Sequence, residues 1–176
     1  LSGVTNLRSN KGAIYIKSAG NGFFKVKLSG VNIYCSSAGL YGASTGVTCQ
    51  NANMDPENTV PYNIVVGALT ATGVKSSYST AGSSLWVAAP GGEYGVTNPA
   101  MMTVDQSGCS KGYVRSGNSP ANLFDTVTSG VGYSLGGNAS CNYTSSFNGT
   151  SSAAPVLSGV VALILESNPA LTWRDV

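Results

Sequence analysis

FNGTSSAAPVLSGV, residues 147–160, is the stretch of sequence that decides the fold. It runs from a Gly-Thr-Ser tripeptide through small residues and Pro155 into VLSGVVALILE, residues 156–166, which is apolar on nearly every face. A helix with this pattern must be buried all round. Proline is tolerated in a first helical turn, and Asn168-Pro169 ends the helix. The pattern predicts a buried helix whose start follows Pro155.

Ser151 is the candidate for chemistry within this stretch. A serine hydroxyl attacks a carbonyl only with the help of a base, usually histidine, and of donors for the oxyanion that forms. A helix N-terminus supplies unpaired backbone amides and the positive end of the helix dipole. Ser151 is therefore a candidate nucleophile, and an ordinary Ser or Thr N-cap is the alternative.

A second candidate, Asn21, lies in SAGNG, residues 18–22, just past the end of a predicted strand. Ligand sites in parallel sheets lie at the carboxyl ends of strands. An asparagine amide in this place can donate a hydrogen bond to an oxyanion, an effect worth ~3–4 kcal/mol in barrier height. The alternative is an asparagine in a left-handed turn.

Three β-rich or continuously apolar segments predict strands of a mainly parallel sheet. They are residues 13–17, 63–69 and 85–89. Residues 30–61 and 91–147 have the composition of loops, with a weak strand signal at 101–104. Thr172 and Asp175 have capping-box spacing and predict that another helix begins there.

Composition excludes several functions. Charged residues make up 9% of the chain and the net charge is +2, too little for a nucleic-acid surface. No apolar run reaches the ~20 residues of a membrane span. Four cysteines without a CxxC pair predict two disulfides that close local loops, Cys35–Cys49 and Cys109–Cys141, with free buried thiols as the alternative. Disulfides favour a secreted, periplasmic or cell-surface location.

Taken together, the motifs resemble those of the subtilisin-like serine proteases, the subtilases of peptidase family S8. The chain carries that family's motifs in that family's order: a strand followed by AGNG, the NIVVGA strand, WVAAPG, and NGTSSAAP before an apolar helix. The resemblance covers nearly the whole chain but only the C-terminal part of the family's catalytic domain. It implies that residues 1–176 form a partial catalytic domain, α/β with a mainly parallel sheet and a buried helix starting at the nucleophile.

The resemblance also implies a function. The chain is expected to belong to a serine endopeptidase that cleaves protein or peptide substrates through a Ser-His-Asp triad, with no cofactor needed for the chemistry. Ser151 matches the nucleophile and Asn21 the oxyanion-hole asparagine, with the Ser151 backbone amide as the partner donor. Ser152 matches the position beside the nucleophile. The segment that lines one side of the primary specificity pocket is matched by Ser18, Ala19 and Gly20.

The end of the chain resembles the kexin/furin-like branch, the proprotein convertases. LESNPALTWRDV, residues 165–176, carries this likeness, together with Tyr78-Ser79 and VDQSGC, residues 104–109. The Asn-rich segment before the nucleophile is similar to bacterial members. That branch cleaves after basic residues and uses acids around its pocket, and Asp55 is the candidate for such an acid, as is Glu57. Surface acids in a Pro-containing turn are the alternative for both.

Convertases also bind calcium near this pocket, through acids before the loop cysteine and after the Tyr-Ser pair. Val47 and Thr80 occupy these places here, so this calcium site is not expected. Other calcium sites of the family draw on segments outside the matched part, which leaves structural calcium in a full-length protein open. The metal ligands of this chain are unassigned.

The chain contains no histidine. In subtilases the catalytic order is Asp, His, Asn, Ser, and the first two precede the segment matched here. We therefore expect an upstream catalytic half that carries the Asp and the His, and a downstream β-rich domain as kexin-like proteins usually have. Because this chain has no general base, residues 1–176 alone are expected to show negligible peptidase activity.

Three other functions stay open. A secreted binding or adhesion module fits the composition, but it predicts regularly alternating strands and does not explain an apolar helix after GTSSAAP. An α/β-hydrolase needs Gly-x-Ser-x-Gly, and the segment from Gly149 to Ala153 lacks the final glycine. A pseudoenzyme without peptidase activity would be recognised from the upstream sequence.

Overall fold

A computed structural model describes residues 2–35, 48–117, 123–127 and 137–176 of the chain. Two short 3₁₀ helices, Ala52–Met54 and Pro56–Thr59, occur within these residues. The longer elements of the described residues are α1 Ser2–Asn10, β1 Tyr15–Ser18, β2 Lys25–Leu28, β3 Val31–Tyr34, β4 Asn63–Leu69, β5 Val87–Pro90, β6 Met101–Val104, β7 Tyr143–Phe147 and α2 Thr150–Ser167.

A three-stranded parallel sheet in the order β1-β4-β5 forms the centre of the fold. Val65 and Val66 of the middle strand are fully buried, as the continuous apolar run predicts for a strand covered on both faces. The α/β prediction is confirmed, and the three strands form where expected, with β5 starting at Val87. Because the strands are parallel, their carboxyl ends lie side by side at the same end of the sheet.

Helix α2 packs on this sheet through its first turns. Ala153 is fully buried in one cluster with Val66, Ala68 and other side chains of the sheet and its loops. The helix begins at Thr150, so the start at the nucleophile that the family resemblance implies is confirmed, whereas the start after Pro155 that the apolar run alone predicts is wrong. Gly149 sets the start at Thr150 with φ 104° and ψ 166°, a region of backbone conformation that essentially only glycine adopts. Pro155 lies in the second turn and costs the helix one internal hydrogen bond.

The far side of α2 departs from the predicted all-round burial. Val160, Leu163 and Ile164 are 46%, 67% and 38% exposed. The physical reason is that the three sheet strands contact one side of the helix, whereas the second layer needed to cover the other side is not found among the described residues. By length and composition alone α2 is suited to crossing a membrane, but its packing on three strands is that of a core helix.

Two antiparallel strand pairs, β2–β3 and β6–β7, accompany the sheet. The loop prediction for residues 30–61 is therefore wrong at β3, and that for 91–147 is wrong at β7. The missed signal for β2–β3 is the alternation around Ser29-Gly30, whose positive φ values of 48° and 84° suit a two-residue hairpin turn. The weak strand signal at 101–104 is confirmed as β6.

Both predicted disulfides form, Cys35–Cys49 and Cys109–Cys141. Buried Cys141 forms a small second core with Val114 and Val127. The first bridge spans residues 36–47, which include Val47 and lie outside the described residues. At the end of the chain the Thr172 amide donates to Asp175 Oδ2 at 2.7 Å, as in a capping box, but the segment forms a turn and no helix.

Candidate active site

The turn that starts α2 presents one serine and buries the next. Ser151 lies in the first helical turn and is exposed, whereas Ser152 is only 3% exposed. No hydrogen-bond partner of the Ser151 hydroxyl is found in the described part of the chain. The side chain is therefore available to an incoming group, as the sequence predicts for Ser151 and not for Ser152.

Asn21 lies against this turn, 130 positions away in sequence from the serine. The backbone amide of Thr150 donates to Asn21 Oδ1 at 2.9 Å, and the Thr150 hydroxyl donates to the same oxygen at 3.1 Å. The Thr150 hydroxyl in turn accepts from the Gly20 amide at 3.1 Å. Because its oxygen accepts both bonds, Asn21 keeps the Nδ2 group as a donor for another molecule.

The Ser151 backbone N–H provides a second donor beside Asn21. In the first turn of a helix the amides have no carbonyl one turn back to bond to. The Thr150 amide bonds to Asn21 and the Ser152 amide to the Gly149 carbonyl at 2.9 Å. Between them, the Ser151 amide has no acceptor in the described residues and lies at the positive end of the helix dipole. The structure thus brings together Ser151, its amide and Asn21.

The predicted wall of the specificity pocket, Ser18, Ala19 and Gly20, continues β1 toward Asn21. Its backbone is fixed from both sides: the Ala19 amide donates to the Val66 carbonyl at 3.0 Å, and Asn58 Nδ2 donates to the Ala19 carbonyl at 3.3 Å. The Thr80 amide donates to the Gly20 carbonyl at 3.0 Å. This segment is therefore a rigid edge beside Asn21.

Asp55 is placed differently from the other candidates. Its carboxylate caps the 3₁₀ helix Pro56–Thr59 through the Glu57 amide and accepts from Lys17 Nζ at 2.9 Å. Glu57 lies 3.6 Å from the same ammonium. The hydrogen bond from Lys17, then that from the Glu57 amide, holds the pKa of Asp55 below its ordinary value. Lys17 thus compensates the charge of the acid that the sequence nominated for the specificity pocket.

Thr80 occupies one of the two positions at which the convertases carry calcium-binding acids. The Thr80 hydroxyl is buried and already accepts from the Gly22 amide at 2.8 Å. Among the described residues, no group of three or more His, Cys, Asp or Glu side chains could hold a metal ion. Val47, the other position in question, lies outside those residues.

Sequence reasoning missed the part played by Thr150. Its position in the Gly-Thr-Ser tripeptide was visible, but its contacts join segments 130 residues apart and only the fold reveals them. Thr150 is fully buried, so its hydroxyl serves the turn and not the solvent.

Comparison with known proteins identifies the family. Residues 2–176 match the model of the subtilase family, Peptidase_S8. The chain belongs to the subtilase family. It is 42% identical over 94% of its length to the Aeromonas extracellular serine protease of Aeromonas sobria, and 30% identical over its full length to kexin of Saccharomyces cerevisiae.

A solved structure is similar over nearly the whole subtilase chain. The crystal structure of the Aeromonas sobria serine protease in complex with a chaperone superposes with a TM-score of 0.78, at 41% identity, and covers 94% of this chain. The chain spans 24% of the length of the Aeromonas sobria relative and 14% of that of kexin. The predicted subtilisin-like fold and the kexin-like relationship are confirmed.

Proposed function

We propose that this chain supplies the nucleophile and the oxyanion hole of a serine endopeptidase. The observation that carries the proposal is the exposed Ser151 hydroxyl beside two unused donors, its own amide and Asn21 Nδ2, in a member of the subtilase family. Two Thr150 bonds to Asn21 Oδ1 support the orientation of that amide.

The reaction follows from the geometry. Ser151 Oγ attacks the carbonyl carbon of a peptide bond while a base takes the hydroxyl proton, and the carbonyl oxygen becomes an oxyanion. The Ser151 amide and Asn21 Nδ2 stabilise that charge with preorganised dipoles. Return of the proton to the leaving amine gives an acyl-enzyme on Ser151. A water molecule then releases the acyl group by the same steps.

We infer that the base comes from outside residues 1–176, because the chain contains no histidine, the usual base for a serine nucleophile. We infer that a His and an Asp on an upstream catalytic half complete the triad. The share of each relative that the chain covers, 24% and 14%, supports this inference. Residues 1–176 alone are then without a path for the Ser151 proton, and we expect them to be inactive.

A preference for basic residues stays a prediction. The likeness to kexin supports it, at 30% identity. The ion pair with Lys17 argues against Asp55 as the acid that recognises a basic residue, since the ammonium at 2.9 Å already compensates its charge. If Asp55 does recognise substrate, Asp55→Asn in an active extended chain will reduce cleavage after Arg and leave cleavage after Phe unchanged. Equal effects on both would assign Asp55 to the ion pair with Lys17.

We propose that the protein works outside the cytoplasm. Two disulfides support an oxidising compartment, and one relative is an extracellular protease. Its substrates are proteins or peptides. A chaperone partner and a downstream β-rich domain are further proposals, supported by the complex of the Aeromonas sobria protease and by the kexin likeness.

Peptide hydrolysis by an upstream-extended chain tests the function. We expect turnover that Ser151→Ala reduces by roughly a thousandfold or more, while the matched variant Ser152→Ala retains it, because Ser152 is buried. Residues 1–176 alone should not cleave the peptide. Turnover that survives in Ser151→Ala, or a folded extended chain without turnover, would contradict the proposal.

A further inference from the structure

A tyrosine hydroxyl lies directly behind the nucleophile turn. Tyr78 is 3% exposed, and its Oη accepts a hydrogen bond from the Gly149 amide at 2.8 Å. The same oxygen lies 2.8 Å from the Gly91 carbonyl and 2.7 Å from the Gly92 carbonyl. A phenol has one proton to donate, which the two carbonyls share. The hydroxyl thus joins the nucleophile turn to the loop that follows β5.

The nucleophile turn depends on such outside bonds. Gly149 is the N-cap of α2, has no side chain with which to cap the helix, and adopts φ 104° and ψ 166°. The two amides that lead into the nucleophile are held by different parts of the fold, Gly149 by Tyr78 and Thr150 by Asn21. If the first of these bonds is lost, the peptide between Asn148 and Gly149 loses its anchor, and the turn that carries Ser151 keeps only the bond from Thr150 to Asn21.

Tyr78 is itself held firmly. Its ring packs in the core cluster of Val66, Ala68, Ala89 and Ala153 and makes an edge contact with Tyr94 at 5.7 Å. Burial raises the pKa of the phenol, with the Gly149 bond opposing that rise, so the hydroxyl keeps its proton at neutral pH. A fixed ring and a protonated hydroxyl make a rigid support.

We propose that Tyr78 is a positioning residue, whose hydroxyl ties the Gly149 amide to the carbonyls after β5 and so fixes Ser151 relative to Asn21. The proposal rests on the proposed function of Ser151. Tyr78 does not touch the reacting atoms and acts through Gly149. Since a shift of about 1 Å in a reacting group can cost about a hundredfold in rate, loss of this hydroxyl should slow acylation without weakening substrate binding.

The test compares Tyr78→Phe with Tyr62→Phe in the upstream-extended chain. Tyr62 also belongs to an edge-to-face tyrosine pair, with Tyr15, but it directly precedes β4, at the amino end of that strand, whereas Tyr78 follows the carboxyl end. After thermal unfolding confirms that the variants are folded, kcat, KM and the rate of fluorophosphonate labelling are measured. We expect Tyr78→Phe to lower kcat and the labelling rate roughly 10- to 100-fold, with KM within about twofold, and Tyr62→Phe to match the parent.

Two outcomes overturn the proposal. If the folded Tyr78→Phe variant has unchanged kcat and KM, the hydroxyl contributes to the stability of the fold and not to positioning Ser151. If KM is raised and kcat is unchanged, the hydroxyl contributes to substrate binding instead. An unlabelled parent chain would instead contradict the proposed function itself, so the two failures are distinguishable.

If Tyr78→Phe does not fold, 2,3,5-trifluorotyrosine placed at position 78 keeps the ring and makes the phenol more acidic. Its phenolate still accepts from Gly149 but no longer donates to Gly91 or Gly92. As the pH rises, we then expect the rate of acylation to begin to fall at a lower pH than in the parent chain. Identical pH profiles would overturn the proposal.

Discussion

Thr150→Val removes a hydroxyl from the site while keeping the shape of the side chain. The hydroxyl accepts from the Gly20 amide and donates to Asn21 Oδ1, both at 3.1 Å, and Thr150 is fully buried. Valine leaves the Gly20 N–H without its acceptor. Asn21 Oδ1 keeps its bond from the Thr150 amide at 2.9 Å, so the helix start is weakened and not abolished.

The expected magnitude follows from the unpaired donor. A buried N–H left without a partner costs ~1–3 kcal/mol, and because Gly20 is only half-buried its amide belongs at the low end of that range. For a chain of 176 residues, each kcal/mol lowers the unfolding temperature by roughly 2–4 °C. A value of about 1 kcal/mol corresponds to a decrease of roughly 2–4 °C. The lost stability lies at the contact between Gly20 and α2.

The assay is thermal unfolding together with hydrogen exchange at the Gly20 amide. Thr150→Ser is the matched control, because it keeps the hydroxyl and loses only a buried methyl group, at about 1 kcal/mol. We expect Gly20 to exchange faster in Thr150→Val and at the parent rate in Thr150→Ser. A valine variant as stable as the parent, with Gly20 equally protected, would refute the reasoning.

Three further predictions concern the glycine turn, a disulfide and a charge pair. Gly149→Ala should lower the free energy of unfolding by ~1–3 kcal/mol, because φ of Gly149 is 104° and the new Cβ would lie 3.2 Å from Asn21 Nδ2. An unchanged temperature of thermal unfolding would contradict this prediction. Replacing the Cys109–Cys141 bridge, with its separation of 32, by two serines should lower the free energy of unfolding in urea by about 4 kcal/mol, and a loss under about 1 kcal/mol would be inconsistent with it. The pKa of Asp55 is lower in the folded chain than its ordinary value of 3.8, so near and below that pH the unfolded chain binds more protons than the folded chain. The stability that the pair with Lys17 contributes is therefore present above pH 3.8 and is lost as the pH falls through the lower folded pKa. Between about pH 5 and pH 2, the urea midpoint of Asp55→Asn should fall less than that of the parent. Parallel midpoint curves would argue against the pair.

The sequence predicted those parts of the fold that rest on local pattern. The run at 63–69 is apolar without interruption, and it became the buried middle strand β4. The start of α2 came from the family resemblance and not from the local pattern, because it depends on the backbone of Gly149 and on an acceptor from Asn21. Tertiary contacts set this boundary, so Pro155 was placed one turn too early.

The site shows the same division. Ser151 and Asn21 were recognisable, because each follows a short motif with few alternatives, and the structure places them together. Thr150 and Tyr78 also lie in recognised motifs, but their roles could not be predicted, since a buried hydroxyl acts through partners that are far away in sequence. Asp55 was nominated by a likeness in one turn, and its ion pair with Lys17 becomes visible only when β1 lies beside that turn.

The measurement that tests the central claim most directly is mass-spectrometric mapping of a fluorophosphonate adduct. Residues 1–176 and the upstream-extended chain are labelled side by side, after both have been shown to be folded. We predict an adduct on Ser151 in the extended chain and none in residues 1–176, because the nucleophile is present and its base is not. An adduct on Ser151 in residues 1–176 alone, or no adduct in the folded extended chain, would contradict the account.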